Sequence, residues 1–300
     1  MTQLAHGADL GFAPDAPLRS AILTAETRLR DKGVASPRHD AEAIAAHLLG
    51  VTRTDLWRHM DQTAPVGFTD LVSRRAARVP LQHITGTAFF RHATLTVGPG
   101  VFIPRPETEV VVEEALRLLA DLAVFAPIVV DLCAGSGAIA LSIATEYAGV
   151  TVHAVELDPG AGPWLRDNVA DAGVQIHAAS IEGCLPHLAG AVDLIVANPP
   201  YIPTDAVPRE VEVARYDPDL ALYSGADGLD HIKMVQRAAA RLLKPGGWVV
   251  VEHSDQQGSS APQVFADAGC WSPVVDHVDL TGRDRFVTAR LDPDLQGTAL

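Results

Sequence analysis

From Pro127 onward the chain repeats one pattern: a short apolar run, a glycine or proline break, then a stretch with helical spacing. Strands are expected at Ile128–Leu132, Val152–Glu156, Gln175–His177, Asp193–Ala197, Trp248–Glu252, Val274–His277 and Arg285–Ala289. Helices are expected near Ala138–Tyr147, Pro163–Ala172, Leu229–Leu243 and Pro262–Ala268. Strands joined through helices run parallel with right-handed crossovers, so the expected fold class is α/β, a doubly wound, mostly parallel, seven-stranded, Rossmann-like sheet. The last two strands have no helix between them and are expected as an antiparallel hairpin at one edge. Leu194–Ala197 shows no polar alternation, as a central strand covered on both faces requires.

Upstream, apolar residues fall at helical spacing from Leu18 to about Leu81. Ser36-Pro37 reads as an N-cap and first helical residue, opening a helix through Ile44, Leu48 and Leu49 that stops at Gly50. Shorter helices are expected at Asp55–Met60 and Thr69–Arg78, with Arg74, Arg75 and Arg78 on a solvated face. Phe89-Phe90, the alternating Ala93–Val97 and Gly98-Pro99-Gly100 read as a β-hairpin. Pro106 then fits the first turn of a helix running through Val112, Leu116 and Leu119. The expected organisation is a disordered tail 1–16, a small helical domain 17–85, a hairpin linker 86–104, the α/β domain 105–292 and a tail 293–300.

Acidic residues outnumber basic ones 37 to 23, and a formal charge of −14 opposes unaided binding to a phosphate backbone. Direct nucleic-acid binding is therefore not expected. No apolar run approaches the roughly 18–20 residues of a bilayer span, and Met1–Pro14 has no basic segment followed by an apolar one. Cys133, Cys184 and Cys270 are scattered, and the twelve histidines show no ligand spacing, so neither disulfides nor a metal site is expected. The expectation is a cytoplasmic monomer without a membrane partner.

Chemistry concentrates where the strand Asp193–Ala197 ends, in Asn198-Pro199-Pro200-Tyr201. Two prolines fix φ near −65°, remove two N–H donors and push Asn198 into extended backbone. The corner left is rigid and rich in acceptors, with an aromatic ring that can lie on a planar group. It suits a planar NH2, whose hydrogens both need acceptors once water is excluded. Asp131-Leu132-Cys133-Ala134-Gly135-Ser136-Gly137 is a strand and glycine turn opening a helix, and in open α/β sheets such a turn borders a ligand. The glycines also satisfy a relaxed dinucleotide pattern, with Glu156 far enough on to hold a ribose hydroxyl, so a nicotinamide oxidoreductase stays open. Asp131 as receptor of a cationic amino group, together with the Asn198 corner, favours S-adenosylmethionine. Glu182, with Gly183 beside it, is a candidate for the adenine amino group. The segment 201–228, broken by Pro203, Pro208, Pro218 and Gly225, reads as an irregular lid. Lys244-Pro245-Gly246-Gly247 reads as a turn before the fifth strand. A methyltransferase acting on exocyclic amino groups of nucleic acid shares the NH2 problem and is an alternative that the charge disfavours.

Asp-Leu-x-x-Gly-x-Gly at 131–137, Glu156 and Asn-Pro-Pro-Tyr at 198–201 resemble the class I S-adenosylmethionine-dependent methyltransferases that modify planar nitrogens. Pro104-Arg105-Pro106-Glu107-Thr108-Glu109, Gly225–Asp230, Gly282–Arg285 and Pro80–Gly86 resemble more sharply the peptide chain release factor glutamine methyltransferases, the PrmC/HemK family, over roughly residues 18–290. A sibling family that modifies a ribosomal protein shares Asn-Pro-Pro-Tyr but departs from the Pro-Arg-Pro-Glu-Thr-Glu pattern. The resemblance implies methyl transfer from S-adenosyl-L-methionine to the side-chain N5 of glutamine in the Gly-Gly-Gln loop of class 1 release factors, with the helical domain as the release factor's seat. It implies that Asn198, Pro199 and Tyr201 are catalytic. It implies that Phe102, Asp131, Cys133, Ala134, Gly135, Ser136, Gly137, Glu156, Glu182, Gly183 and Asn198 line the cofactor. With Pro200, Arg105 and Glu107, the corner would face the substrate. The chain departs from the family at Ser254 and Val79, where glycine is usual.

Overall fold

The computed structural model describes residues 16–294, so nearly all of both expected tails lies outside the described residues. The chain forms two compact units, one of residues up to Thr87 together with Arg209–Tyr216, the other of Ala88–Pro208 and the chain from Asp217 on.

The first unit is helical: α1 (Leu18–Asp31), α2 (Pro37–Leu49), a 3-10 turn (Arg53–His59), α3 (Phe68–Ala76) and α4 (Leu81–Thr85). Leu18, Ile22, Ala25 and Leu29 recur three or four residues apart and form one stripe, which packs on Ile44 and Ala45 of α2 and Phe68 and Val72 of α3. Gly50 closes α2 in the left-handed region at φ 66°, as its position suggests. The expected Ser36 cap makes no side-chain bond, and α2 starts on Pro37, whose missing N–H is one that the first turn would leave unpaired. Of the expected solvated face, Arg74 is exposed, whereas Arg75 and Arg78 are engaged with carboxylates. Arg75 is 7% exposed, donates from Nε to Asp40 Oδ2 at 2.7 Å and from Nη1 to Glu212 Oε1 at 2.9 Å, and Arg78 Nε adds a bond to the same oxygen at 2.8 Å. Helical spacing alone does not show Arg75 the buried carboxylates it meets. Nor does Val79 need to be glycine: Arg78 carries the left-handed turn at φ 71°, and Val79 N–H closes the helix on Arg74 O at 3.1 Å.

The second unit begins with the hairpin β1 (Thr87–Phe90) and β2 (Ala93–Thr96), a 3-10 turn at Pro106–Thr108 and α5 (Glu109–Leu122). There follow β3 (Ile128–Leu132), α6 (Ala138–Glu146), β4 (Thr151–Glu156), α7 (Gly162–Val169), β5 (Gln175–Ala178) and β6 (Val192–Ala197). After the helix Val211–Tyr216, which is α8 and belongs to the first unit, come α9 (Asp230–Leu242), β7 (Leu243–Glu252), α10 (Ser260–Asp267), β8 (Trp271–Val278) and β9 (Asp284–Leu291). The seven strands lie in the order β5-β4-β3-β6-β7-β9-β8, parallel through β7, with β9 antiparallel to β7 and to the edge strand β8. Successive side chains of a strand point to opposite faces. Leu194 and Val196 therefore join one apolar layer with Val112 and Leu119 of α5 and Ile143 of α6. Ile195 and Ala197 join the other with Ile232, Val235 and Ala239 of α9 and Phe265 of α10.

Two expectations change. Lys244–Gly247 is a bulge inside β7, because Leu243 pairs with Val192 and Trp248 with Leu194, so the four residues loop out of the ladder. Proline and glycine, read as a break, here accommodate the bulge. The segment 201–228 is irregular except for α8 and a 3-10 turn at Asp219–Ala221. Its base is tied by Ile202 N–H to Leu222 O, Ser224 N–H to Ile202 O and Thr204 N–H to Gly225 O, all at 2.8–2.9 Å.

Candidate functional site

Strand order reverses between β3 and β6, since the chain builds outward through β4 and β5 before returning to β3's other side. Ligands of open α/β sheets sit at the carboxyl ends of the strands beside that switch point. The register pairs Leu132 with Val155 and with Ala197, and Ala197 with Val251. The residues that follow the pairs, Cys133, Glu156, Asn198 and Glu252, thus leave four adjacent strands along one edge.

On one side stands the glycine turn. Cys133 takes φ 65°, a conformation that side chains rarely adopt, and Gly135 and Gly137 take φ 55° and 85°. A Cβ on Gly137 would lie 2.7 Å from Leu165 Cδ1, so glycine there lets α6 approach α7, whereas Gly135 faces open space. Ala134 N–H donates to Val155 O at 3.0 Å, and Ser136 O accepts from Asn168 Nδ2 at 2.9 Å. Glu156 accepts Gly135 N–H and Asp158 N–H, each at 2.7 Å, and so fixes the turn relative to the end of β4. Asp131 is 0% exposed: Oδ2 caps α6 by accepting Ala140 N–H at 3.0 Å, while Oδ1 has no hydrogen-bond partner. Burial drives the Asp131 carboxyl well above the usual carboxylate range, and burial likewise pushes up the Cys133 thiol.

On the other side stands the Asn198 corner. Pro199 and Pro200 are buried, and Asn198 and Tyr201 keep part of their surface open. Asn198 Nδ2 donates to Thr108 Oγ1 at 3.2 Å, and Tyr201 O–H donates to Glu252 Oε1 at 3.3 Å. Burial, together with Glu252, raises the Tyr201 phenol. Behind the corner, Gln257 Nε2 donates to Tyr201 O at 3.2 Å and its Oε1 accepts Ser254 N–H at 3.0 Å. Ser254 lies outside the left-handed region, so a residue other than glycine costs no backbone strain there. Gly228 comes so close that a Cβ would sit 2.3 Å from Tyr201 O. The glycine motif at 225–228 therefore permits backbone to press against the corner.

Among the other expected site residues, Arg105 donates from Nη2 to Asp217 Oδ2 at 2.8 Å and lies over the Phe102 ring at 5.2 Å. Glu107 is exposed. Glu182 accepts from Arg237 Nη2 at 3.2 Å as an exposed pair, and with Gly183 it borders a cavity of about 450 Å³ between the loop after β5 and α9. The structure brings the glycine turn, Glu156 and the Asn198 corner to one edge, and it engages Glu182 with α9 instead. Thr108, Glu252, Gln257 and Arg285 fall within motifs that carry the family resemblance, but sequence reasoning gave none of them a role of its own. Arg285 binds Asp279 from Nη2 at 3.0 Å, and its charge acts on Glu252. The available signal was a lone glutamate ending an apolar strand, adjacent in strand order to the Asn198 corner. No group of three or more His, Cys, Asp or Glu that could hold a metal occurs among the described residues.

The chain matches the PrmC N-terminal domain over residues 20–86 and the methyltransferase small domain over residues 98–213. A release factor glutamine methyltransferase of Streptomyces coelicolor is 49% identical over 274 residues, covering 91% of this chain and 98% of that protein. One of Mycolicibacterium smegmatis is 46% identical over 278 residues, covering 91% and 97%. A 4-amino-L-phenylalanine/4-methylamino-L-phenylalanine methyltransferase of Streptomyces pristinaespiralis is 38% identical over 260 residues, covering 85% and 89%.

Proposed function

Because the chain belongs to the release factor glutamine methyltransferase family, we propose that its Asn198 corner holds the side-chain carboxamide of a release factor glutamine for methylation by S-adenosyl-L-methionine. The enzyme is an S-adenosylmethionine-dependent protein-glutamine methyltransferase of class I fold. The acceptor atom is the N5 nitrogen of the Gly-Gly-Gln glutamine of class 1 release factors, and the modification tunes translation termination. The observation that carries this reading is the register of β3 against β6, which sets the glycine turn beside the amide-holding corner.

The chain's own residues fit the cofactor. The unpartnered Asp131 Oδ1 suits a cationic amino group, the open space at Gly135 suits a ligand against backbone, and Glu156 stands at the strand end where ribose hydroxyls belong. Cys133, Ala134, Ser136 and Gly137 complete the turn, with Phe102 toward the methionine end. Glu182 and Gly183 are the remaining adenine-side candidates. Bound, the cofactor would supply a sulfonium methyl, whose carbon would pass to the amide nitrogen as the C–S pair is left on sulfur, with the released N–H proton going to solvent water.

An amide nitrogen is a poor nucleophile because its lone pair is delocalised into the carbonyl. Asn198 Oδ1 and the Pro199 carbonyl accept its two N–H bonds, favour a pyramidal nitrogen and point its lone pair at the methyl. Tyr201 lies on the amide plane, and Pro200, Arg105 and Glu107 border the substrate. Fixing such a near-attack geometry contributes about 7–11 kcal/mol.

No helix among the described residues is long and apolar enough to cross a membrane. Translation termination takes place in the cytoplasm, and the enzyme acts there with its substrate. The charge of −14 supports a protein substrate over nucleic acid. The helical unit serves as the release factor's seat, and the unit that begins at Ala88, hairpin included and Arg209–Tyr216 excepted, as the catalytic domain of a monomer. Incubation with cofactor and either a class 1 release factor or DNA tests the reading by mass spectrometry. A gain of one methyl on the Gly-Gly-Gln glutamine is expected, and methylated DNA with an unmodified factor would contradict it.

A further inference from the structure

Beyond Glu252 the chain turns back before α10, and the turn carries two buried polar side chains, His253 at 0% exposed and Gln257 at 6%. Gln257 engages both ends of its amide: Oε1 accepts Ser254 N–H at 3.0 Å, and Nε2 donates to Tyr201 O at 3.2 Å and Asp227 O at 3.4 Å. One side chain thus joins three segments. It fits in one sense only, because the reversed amide would set its oxygen against two carbonyls and its NH2 against an N–H. The space it occupies is the space a side chain at 228 would need, since a Cβ on Gly228 would lie 2.8 Å from Gln257 Nε2. The turn is held by His253, whose Nδ1 lies 2.9 Å from Ser254 O and whose Nε2 lies 2.7 Å from Asp276 Oδ1 on the edge strand β8. A carbonyl oxygen only accepts, so Nδ1 carries a hydrogen whichever of Nε2 and Asp276 holds the one between them.

We infer that Gln257 is a positioning residue for the Asn198 corner, clamping the main chain at Tyr201, and that His253, braced on Asp276, holds the turn that presents it. This rests on the reading of that corner as the holder of the substrate carboxamide. Prolines lock φ at 199 and 200, and their lock ends at Tyr201, the residue whose ring lies on the amide plane. Neither proline has an N–H to anchor the corner, so a donor from elsewhere has to meet its carbonyls, and Gln257 Nε2 is such a donor. The bonds of Gln257 run to Tyr201, Asp227 and Ser254 and not to the glycine turn at 133–137. The clamp therefore bears on where the substrate amide sits and not on cofactor retention.

The test uses the full-length enzyme with a class 1 release factor, and it measures kcat and KM at saturating cofactor, cofactor affinity by calorimetry and the pH profile. In Gln257→Glu one oxygen still accepts Ser254 N–H while the other, when ionised, sets an acceptor against Tyr201 O. The variant is expected to lower kcat on the order of 10²-fold, as misplacement of a reacting group does, with KM and cofactor affinity nearly unchanged. Protonation returns a donor to that oxygen, so the ratio of variant to wild-type kcat rises as the pH falls, a recovery that a packing defect would not show. A wild-type kcat in Gln257→Glu, or a ratio flat with pH, alongside an inactive Asn198→Ala would overturn the clamp and leave the site reading intact. An active Asn198→Ala would overturn the site reading itself. Should Gln257→Glu fold poorly, His253→Asn and His253→Gln decide: both remove the ring, but asparagine keeps a donor toward Ser254 O and glutamine keeps one toward Asp276. Higher kcat in His253→Asn is expected, and equal rates in the two, or the reverse order, would refute the inference.

Discussion

Glu212 in the helical unit and Glu252 at the end of β7 are both glutamates withdrawn from water, and burial pushes both carboxyls up. At Glu212, hydrogen bonds from Arg78 and then Arg75 outweigh burial and hold the carboxyl at about 2. At Glu252 the direct partner is the Tyr201 hydroxyl, Oε2 has no hydrogen-bond partner, the cation Arg285 is shared with Asp279, and the carboxyl stays at about 7. The first glutamate is fully compensated and anchors Arg209–Tyr216 to the helices. The second keeps an under-compensated charge beside the corner that does the chemistry. Stability is maximised in one place and given up in the other, as expected where an acceptor has to be held ready.

The comparison breaks most readily from the compensated side. Arg75→Ala leaves Asp40, which is 6% exposed, with only His39 Nδ1 at 3.2 Å, and removes one of the two cations on Glu212. Removing one partner of a buried ion pair costs about 3–5 kcal/mol, so urea denaturation is expected to show a loss of that size. A loss under about 1 kcal/mol would mean that the cluster is solvated after all.

On the uncompensated side the sign reverses. The Glu252 carboxyl rises from 4.5 to about 7 on folding, so its ionisation weakens the folded state as pH climbs through that window. Every tenfold gain in proton affinity on folding corresponds to about 1.4 kcal/mol, which bounds the stabilisation from Glu252→Gln at about 3 kcal/mol above pH 7. Thermal melts are expected to show the variant more stable than wild type above neutrality and nearly equal to it in mild acid. A variant equally destabilised at every pH would point to packing and not to charge.

A smaller effect belongs to acid. Because Glu212 falls from 4.5 to about 2 on folding, its stabilisation is complete above about pH 4.5 and is lost as the pH drops toward 2. Hydrogen exchange in Arg209–Tyr216 is expected to accelerate over that interval in wild type and to be fast already at neutral pH in Glu212→Ala.

How much of this the sequence carried follows from how local each signal is. The seven strands were readable because apolar runs between glycine and proline breaks are local, and β6 and its Asn-Pro-Pro-Tyr corner lie in ten consecutive residues, 192–201. Lys244–Gly247 misread for the same reason: a bulge and a turn use the same residues, and only pairing with Val192 and Leu194 tells them apart. Thr108 stands 90 residues from Asn198 and meets it only through the packing of α5 on the sheet, and Glu252 reaches Tyr201 only through the pairing of β6 with β7. Arg75 read as surface because its buried partners Asp40 and Glu212 are 35 and 137 residues away.

The central claim is that Asn198 grips the substrate amide and contributes to transfer without contributing to cofactor retention. Calorimetric titration of S-adenosylmethionine into Asn198→Ala, paired with single-turnover methylation of a class 1 release factor by the same preparation, tests it directly. The account predicts cofactor affinity close to wild type and a rate lower by two or more orders of magnitude, about the cost of losing a preorganised partner of the reacting group. Wild-type turnover in that variant, or loss of cofactor binding in step with the rate, would contradict it.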